Sequence, residues 1–589
     1  MAIQESYHRK ICRIQLRGRG GCGRPAGVRV LGTRAPRNRG SAPRRRARIR
    51  ALSRAARLRA LQACVTALSV TLTATGCSLL AGQAAGQPVA SQASTPGKGA
   101  GTITLPAPVT RQLAGLPASP APRAAPVPAT SVLTGGTPST ATARFAQRLF
   151  ASSPVVVVAA ATPSAIRAAT SAAVAAHAPV LLAPVSTASK LNAGLVAAIR
   201  AFTPLAVLVV GLPAAPFARQ LGSGVSVVTS AGKLPLTSAP APLRGLAVLV
   251  RPAGKQPDAV LGALSVTARD AGATVIPVPG GDPRADPRAI TALARQRPRQ
   301  VIGIGQQFGG AVSLRERVSV AVTGVQLPGG GQVVFPGRRL VALYGHPGAA
   351  ALGVLGQQGL PASVARARQV AAQYAPLSAG VPVVPAFEII ATVAEASPGR
   401  DKSYSAVTPV SMIEPWVRQA SAAGLYVVLD LQPGRASLLA QAQQYESLLR
   451  LPNVGLALDA EWKLQKGQVP LKQIGYVNIS EVNSVVSWLA ALTDRYRLPQ
   501  KLLVLHQFQL QMIRGEASLD TGHDDLAIVV HMDGQGTPAM KQATWRAVAA
   551  AAPSGVFLGW KDFLVKDHPM LTPAQTMTKT PAPVMISYQ

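Results

Sequence analysis

The chemistry in this sequence is concentrated where short apolar runs end in polar side chains. Residues 456–462 read Leu-Ala-Leu-Asp-Ala-Glu-Trp. Asp459 and Glu461 are two apart, so on an extended segment they share a face. Held together in a partly dry cleft, two carboxyl groups repel one another and one keeps its proton, as a general acid requires. Hydrolysis of a glycosidic bond uses such an acid beside a second carboxylate acting as base, nucleophile or stabiliser. Glu388, Asp430 and Asp533 follow other apolar runs and are candidates for that second role. So placed, too, are His346, Gln432, Trp462, His506, Gln507, His531, Trp560, Lys561 and Tyr588, which are candidates for holding a substrate. Trp462, Trp560, Phe508 and Tyr344 would offer flat rings to a sugar face, although a ring at such a position also packs well in a core.

The elements that must position these residues are legible as an alternation. From 338 onward, strand-like runs at 339–344, 383–387, 426–431, 454–458, 502–505, 527–530, 556–559 and 584–587 are separated by connecting segments. Helical patterns over 411–423, 436–450, 481–496 and 537–552 fill several of those gaps. Eight strands with crossovers predict a (β/α)8 barrel, whose active sites lie at the carboxyl ends of the strands. The domain expectations are a basic leader and signal peptide over 1–76, a tether over 77–140, α/β domains over 141–235 and 236–337, and the barrel over 338–589. The expected fold class is α/β, with one or two parallel-sheet domains ahead of the barrel.

Charge separates these parts. The chain has 589 residues with 60 Lys and Arg against 23 Asp and Glu. Of these, 18 basic residues and a single acid, Glu5, fall in 1–76, no acid occurs from 78 to 257, and 17 of the 23 acids lie in 338–589. A basic stretch at 44–59 precedes an uncharged apolar one at 60–75, the order of a secretory signal. No interleaved aromatics accompany the arginines, so a nucleic-acid partner is not expected. No apolar run is long enough for an ordinary spanning helix. The cysteines are Cys12, Cys22, Cys64 and Cys77. Disulfides and a cysteine zinc site are therefore excluded beyond residue 77. No cofactor and no metal are expected. Gly303-Ile304-Gly305 is not a dinucleotide fingerprint, because Phe308 stands where the third glycine should be. The acidic run 520–525 (DTGHDD) does not have the spacing of an EF-hand loop.

Ala74-Thr75-Gly76-Cys77 resembles a bacterial lipoprotein lipobox. The resemblance implies that Cys77 is lipidated and anchors the chain on the outer face of the cell membrane. Together with Ala-, Arg-, Gly- and Pro-rich usage it suggests an actinobacterial-type envelope protein. The stretch 141–235 resembles the type 2 cell-wall-binding repeat of Gram-positive surface proteins. The matching residues are Val155–Ala159, Ala168–Ala176, Ala178-Pro179-Val180-Leu181-Leu182 and Pro204–Gly211; Ser164-Ala165-Ile166 and Leu212 depart from the pattern. That resemblance implies binding of cell-wall polysaccharide or another anionic wall polymer. The D-x-E of Asp459 and Glu461 resembles that of glycosidase barrels, especially the Chalaropsis-type lysozymes. It implies Glu461 as acid and Asp459 as its partner. Two other readings stand beside it. One is a non-catalytic glycan-binding lipoprotein; the other is a metal-dependent barrel hydrolase using His506 and His531, which would require their nitrogens to converge.

Overall fold

The computed structural model describes residues 122–124, 129–184, 191–241, 243, 245–251 and 259–589. The leader, Cys77 and most of the expected tether lie outside the described residues. Within the tether's expected range, however, Thr130–Leu133 is a strand and a helix begins at Pro138.

Two four-stranded parallel sheets come first. In one, Val155–Ala160 lies between Val180–Ala183 and Ala206–Val210, with Ser226–Val228 at the edge. These strands read as unbroken apolar runs because helices cover both faces. The helix Pro163–Ala176 starts on the side chain of Thr162, with Pro163 fixing the first turn. Its small side chains let it lie close on the sheet. Gly211 ends the third strand at φ +70°, where a Cβ would stand 2.9 Å from that of Ala165. Both the conformation and the space therefore require glycine.

The second sheet draws on both sides of the first in the chain. Its order is Thr130–Leu133, Gln300–Ile304, Leu246–Val250 and Thr274–Pro277, so its first strand comes from ahead of the first sheet. The two sheets also share one apolar cluster, in which Phe145, Leu181 and Phe202 pack with Val248 and Leu264. Thr142 and Thr267, on helices flanking the strand 180–183, cap the Leu182 and Val180 amides at 3.0 and 3.1 Å. The two expected α/β domains thus interlock.

Eight further strands close into the expected barrel. We label them β1 (Arg339–Gly345), β2 (Val383–Ala394), β3 (Tyr426–Leu431), β4 (Val454–Asp459), β5 (Lys501–Gln507), β6 (Leu526–Met532), β7 (Phe557–Asp562) and β8 (Met585–Tyr588). All neighbours are parallel, and β1 pairs with both β2 and β8. At four junctions, β2–β3, β3–β4, β6–β7 and β8–β1, the register is offset by two residues. Together these offsets give the stagger that an eight-stranded parallel barrel needs.

Alternation then sorts the side chains. Leu340, Ala342, Val384, Ala386, Tyr426, Val428, Ala457, Leu502, Val504, Ala527, Val529 and Met585 fill the lower lumen. Their neighbours in sequence face the helical shell. Leu327, Val334 and Phe335, from the segment leading into β1, join the lumen cluster and plug its lower mouth. The buried Arg338 holds this plug by donating to the carbonyls of Pro328, Gly330, Val333 and Val334. Gln332 ties the same segment to the Val320 carbonyl on one side, and its own carbonyl accepts from the Gln500 amide on the other. The acidic run 520–525 is part of this seam, with Asp524 receiving Arg284 and Arg317 at 2.7 Å each.

Candidate active site

One step above the apolar layers, every strand places a polar side chain in the lumen. In order these are Tyr344, Glu388, Asp430, Asp459, His506, His531, Lys561 and Ser587, and all are buried. Except on β2, which runs on past Glu388 to Ala394, each is the last inward residue of its strand, and the earlier inward residues are apolar or glycine. Gly559 has a specific part in this: a Cβ there would lie 2.5 Å from Cδ2 of His531, so β7 gives up a side chain to admit the imidazole. Two further carboxyl groups follow the strand ends, Glu461 in the short turn after β4 and Asp533 after β6.

The contacts divide the carboxyl groups into two sets. Tyr344 donates to Asp430 Oδ2 at 2.8 Å and receives Gln432 Nε2 at 3.2 Å. His506 lies between acids, with Nε2 2.8 Å from Glu388 Oε1 and Nδ1 3.3 Å from Asp533 Oδ2. Burial opposes charging of this imidazole, but Glu388 and Asp533 outweigh it and raise its pKa well above the usual value. Asp533 is correspondingly held below the ordinary carboxylate value: burial pushes it up, and His506 and Lys561 more than reverse that. The second set behaves in the opposite way. Burial, reinforced by the charge of Asp533, pushes Glu461 up to about 7. Asp459 is raised well above its usual value by burial and by Asp430 and Glu461. Asp430 rises to about 6, chiefly through burial.

Carboxylate oxygens of Asp459, Glu461 and Asp533 all lie within 4.8 Å of one another. The site therefore holds an acid that keeps its proton near neutrality beside a carboxylate that does not, which is the separation acid–base chemistry uses. As a donor set the three would suit a hard, oxygen-seeking cation. The histidines do not join them. His506 faces Glu388 and Asp533, while His531 Nε2 faces Ser587 Oγ at 3.2 Å, and the two rings are 5.1 Å apart. Burial, with His506 and Lys561 nearby, lowers His531 well below its usual pKa and favours the neutral ring. Lys561 Nζ stands 3.5 Å over the ring of Tyr344.

Not every expected residue reaches the lumen. Gln507, Trp560 and Tyr588 are one position out of phase with it. Gln507 donates to Glu516 Oε2 at 2.7 Å, Trp560 packs on Trp545 with centroids 5.6 Å apart, and Tyr588 bonds Tyr374 across 2.6 Å. All three serve the shell outside the strands, as their parity dictates. His346 and Trp462 sit half-buried at the rim, with His346 Nε2 3.0 Å from Thr408 Oγ1. Sequence reasoning passed over Ser587, and took Tyr344 only as an aromatic ring. Once the phase of each strand is known, alternation places both in the lumen. It also passed over Lys541 and Asp567, a buried ion pair behind the wall. Lys541 donates to the Lys561 carbonyl at 2.6 Å, and Asp567 accepts the Gly536 and Phe563 amides at 2.9 Å each, fixing the loops after β6 and β7. A cavity of about 360 Å³ lined by Arg297, Pro298, Val322, Thr323 and Arg497 lies away from this site and contains none of its residues.

Fold and site together define a parallel-sheet α/β protein with a (β/α)8 barrel and an acid-rich lumen mouth. No family model matches the chain, and no curated protein matches it. Among solved structures, Cwp6 from Clostridium difficile is matched at 12% identity with a TM-score of 0.17. The match spans 67% of this chain and 63% of that one. A likeness of that size carries no argument about function.

Proposed function

We propose that the protein is a cell-envelope glycoside hydrolase. Glu461 is the general acid and Asp533 the ionised partner, with Asp459 hydrogen-bonding the substrate beside them. The observation that supports this best is the trio Asp459, Glu461 and Asp533, whose oxygens lie within 4.8 Å while Glu461 and Asp533 are shifted in opposite directions. Carboxyl groups so close suit the double-displacement geometry of retaining enzymes rather than the wider gap of inverting ones. Glu461 protonates the leaving oxygen. Asp533 attacks the anomeric carbon, and Glu461, now a base, activates the water that releases the sugar. His506 holds Asp533 in its charged form.

The envelope assignment rests on the lipobox at Cys77 and on the likeness of 141–235 to a wall-binding repeat. In this reading Cys77 anchors the chain to the membrane. The stretch 141–235, which holds no acid, meets anionic wall polymer and the barrel cuts polysaccharide. The test is release of reducing ends from a panel of wall polysaccharides by the full chain. Glu461→Gln and Asp533→Asn should each lower turnover by roughly 10²–10⁴, and EDTA should leave it unchanged. Retention of turnover in both variants would refute the assignment.

A further inference from the structure

The lumen mouth is short of hydrogen-bond donors for its carboxyl groups. Five carboxyl side chains meet there: Glu388, Asp430, Asp459, Glu461 and Asp533. The cations facing them are His506, already placed between Glu388 and Asp533, and Lys561, over the Tyr344 ring, with Lys566 acting on Glu461 from the loop after β7. Four buried carboxylate oxygens have no hydrogen-bond partner, namely Glu388 Oε2, Asp430 Oδ1, Asp459 Oδ1 and Asp533 Oδ1. Their side chains are 0%, 0%, 2% and 6% exposed. Buried acceptors left unmade are costly, so a ligand that satisfies them gains both bonds and charge neutralisation.

From this we infer the substrate class: a glycan of hexosamine units whose nitrogen is not acylated and therefore carries an ammonium. The inference rests on the hydrolase reading of the same site. An ammonium offers three donors and one positive charge, whereas a hydroxyl offers a donor alone. An acetamide would present a carbonyl oxygen to acceptors, and an acidic sugar would add to the negative charge. Among the oxygens left to accept the ammonium's bonds outside the catalytic pair are Asp459 Oδ1 and Asp430 Oδ1. In a 2-amino sugar that nitrogen is one carbon away from the reacting centre, so it falls beside the catalytic pair.

The test uses the full chain, with hexamers of glucosamine and of N-acetylglucosamine as probes. Calorimetry should show the free-amine hexamer binding about tenfold or more tightly. That preference should shrink as salt is raised, disappear when the same oligomer is re-acetylated, and fall in Asp459→Asn. Equal or tighter binding of the N-acetylated hexamer would overturn the inference, as would binding of neither. Cleavage of both hexamers without preference would overturn it while leaving the hydrolase standing. Tight, amine-specific binding without any cleavage would do the reverse. A thermal shift by Ca²⁺ or Mn²⁺ alone, with loss of amine binding, would replace the ammonium by a metal ion and overturn it too.

Discussion

At the scale of single residues, the acid–base argument makes a signed prediction. The general acid must be protonated, so turnover is present below the pKa of Glu461 and declines as pH rises through about 7. Asp533 must be ionised, and its pKa is held below the ordinary carboxylate value, so the acid limb lies below that of a free carboxylate. A rate profile whose alkaline limb is unchanged in Glu461→Asp would contradict the role given to Glu461. His506 carries a second signed consequence. Its folded pKa is raised above the unfolded one, so its stabilising contribution is complete below about 6.5 and is lost as pH rises through the raised folded value. His506→Gln should therefore lower the melting temperature most in mildly acidic solution, and the gap should narrow at alkaline pH. Much of this site could be read from the sequence: Asp430, Asp459, Glu461, His506, His531, Asp533 and Lys561 stand at or just after strand ends, and Glu388 follows the expected run 383–387 although β2 continues to Ala394. What could not be read was phase. Apolar runs buried on both faces give no alternating pattern, so nothing in the residue types sets Lys561 inward and Trp560 outward.

At the scale of the element, the strands were legible because each is a short apolar block between turn-forming residues, and all eight occur where they were expected. Val383–Ala394 is the instructive case. Pro385 argues against a strand, yet it pairs opposite Val341 at the lower end of β2, and the strand runs on to Ala394. The crossovers were less legible. Between β5 and β6 no α-helix forms, only short 3-10 turns at 510–512 and 516–518 and the two-residue strand Ile513–Arg514, and the connection carries Asp524 to the arginines of the α/β region. A prediction at this scale concerns β7. Gly559→Ala brings a methyl group to 2.5 Å from the His531 ring. It should cost about 1–3 kcal/mol in denaturant unfolding and disturb the lumen although the residue touches no substrate. An unchanged unfolding midpoint would show that the imidazole has room to move.

At the scale of the whole molecule, the barrel depends on residues outside its strands. Leu327, Val334 and Phe335 complete the lower lumen, and Arg338 fastens them through buried carbonyls. A fragment beginning at 338 exposes that mouth, while one beginning at 322 keeps it closed. The shorter fragment should unfold at lower denaturant and bind hydrophobic dyes, and matching midpoints for the two would refute the plug. In the full chain, Arg338→Ala leaves buried carbonyls without donors and should cost about 2–4 kcal/mol. None of this was legible in the sequence, where the segment falls in the expected α/β domain 236–337 rather than in the barrel. Long-range closure depends on which surfaces meet, not on local residue preference.

The strand Thr130–Leu133 has a mechanical consequence. It lies parallel to Gln300–Ile304, and the chain beyond that partner runs on towards the barrel. Tension drawn on the chain ahead of Thr130 and resisted at the barrel would thus pull the two strands along their length in opposite directions. Their four paired positions, Thr130 with Val301 through Leu133 with Ile304, would be sheared together rather than unzipped singly. The sheet built on Val155–Ala160 lies in the intervening loop of chain and would be spared that pull.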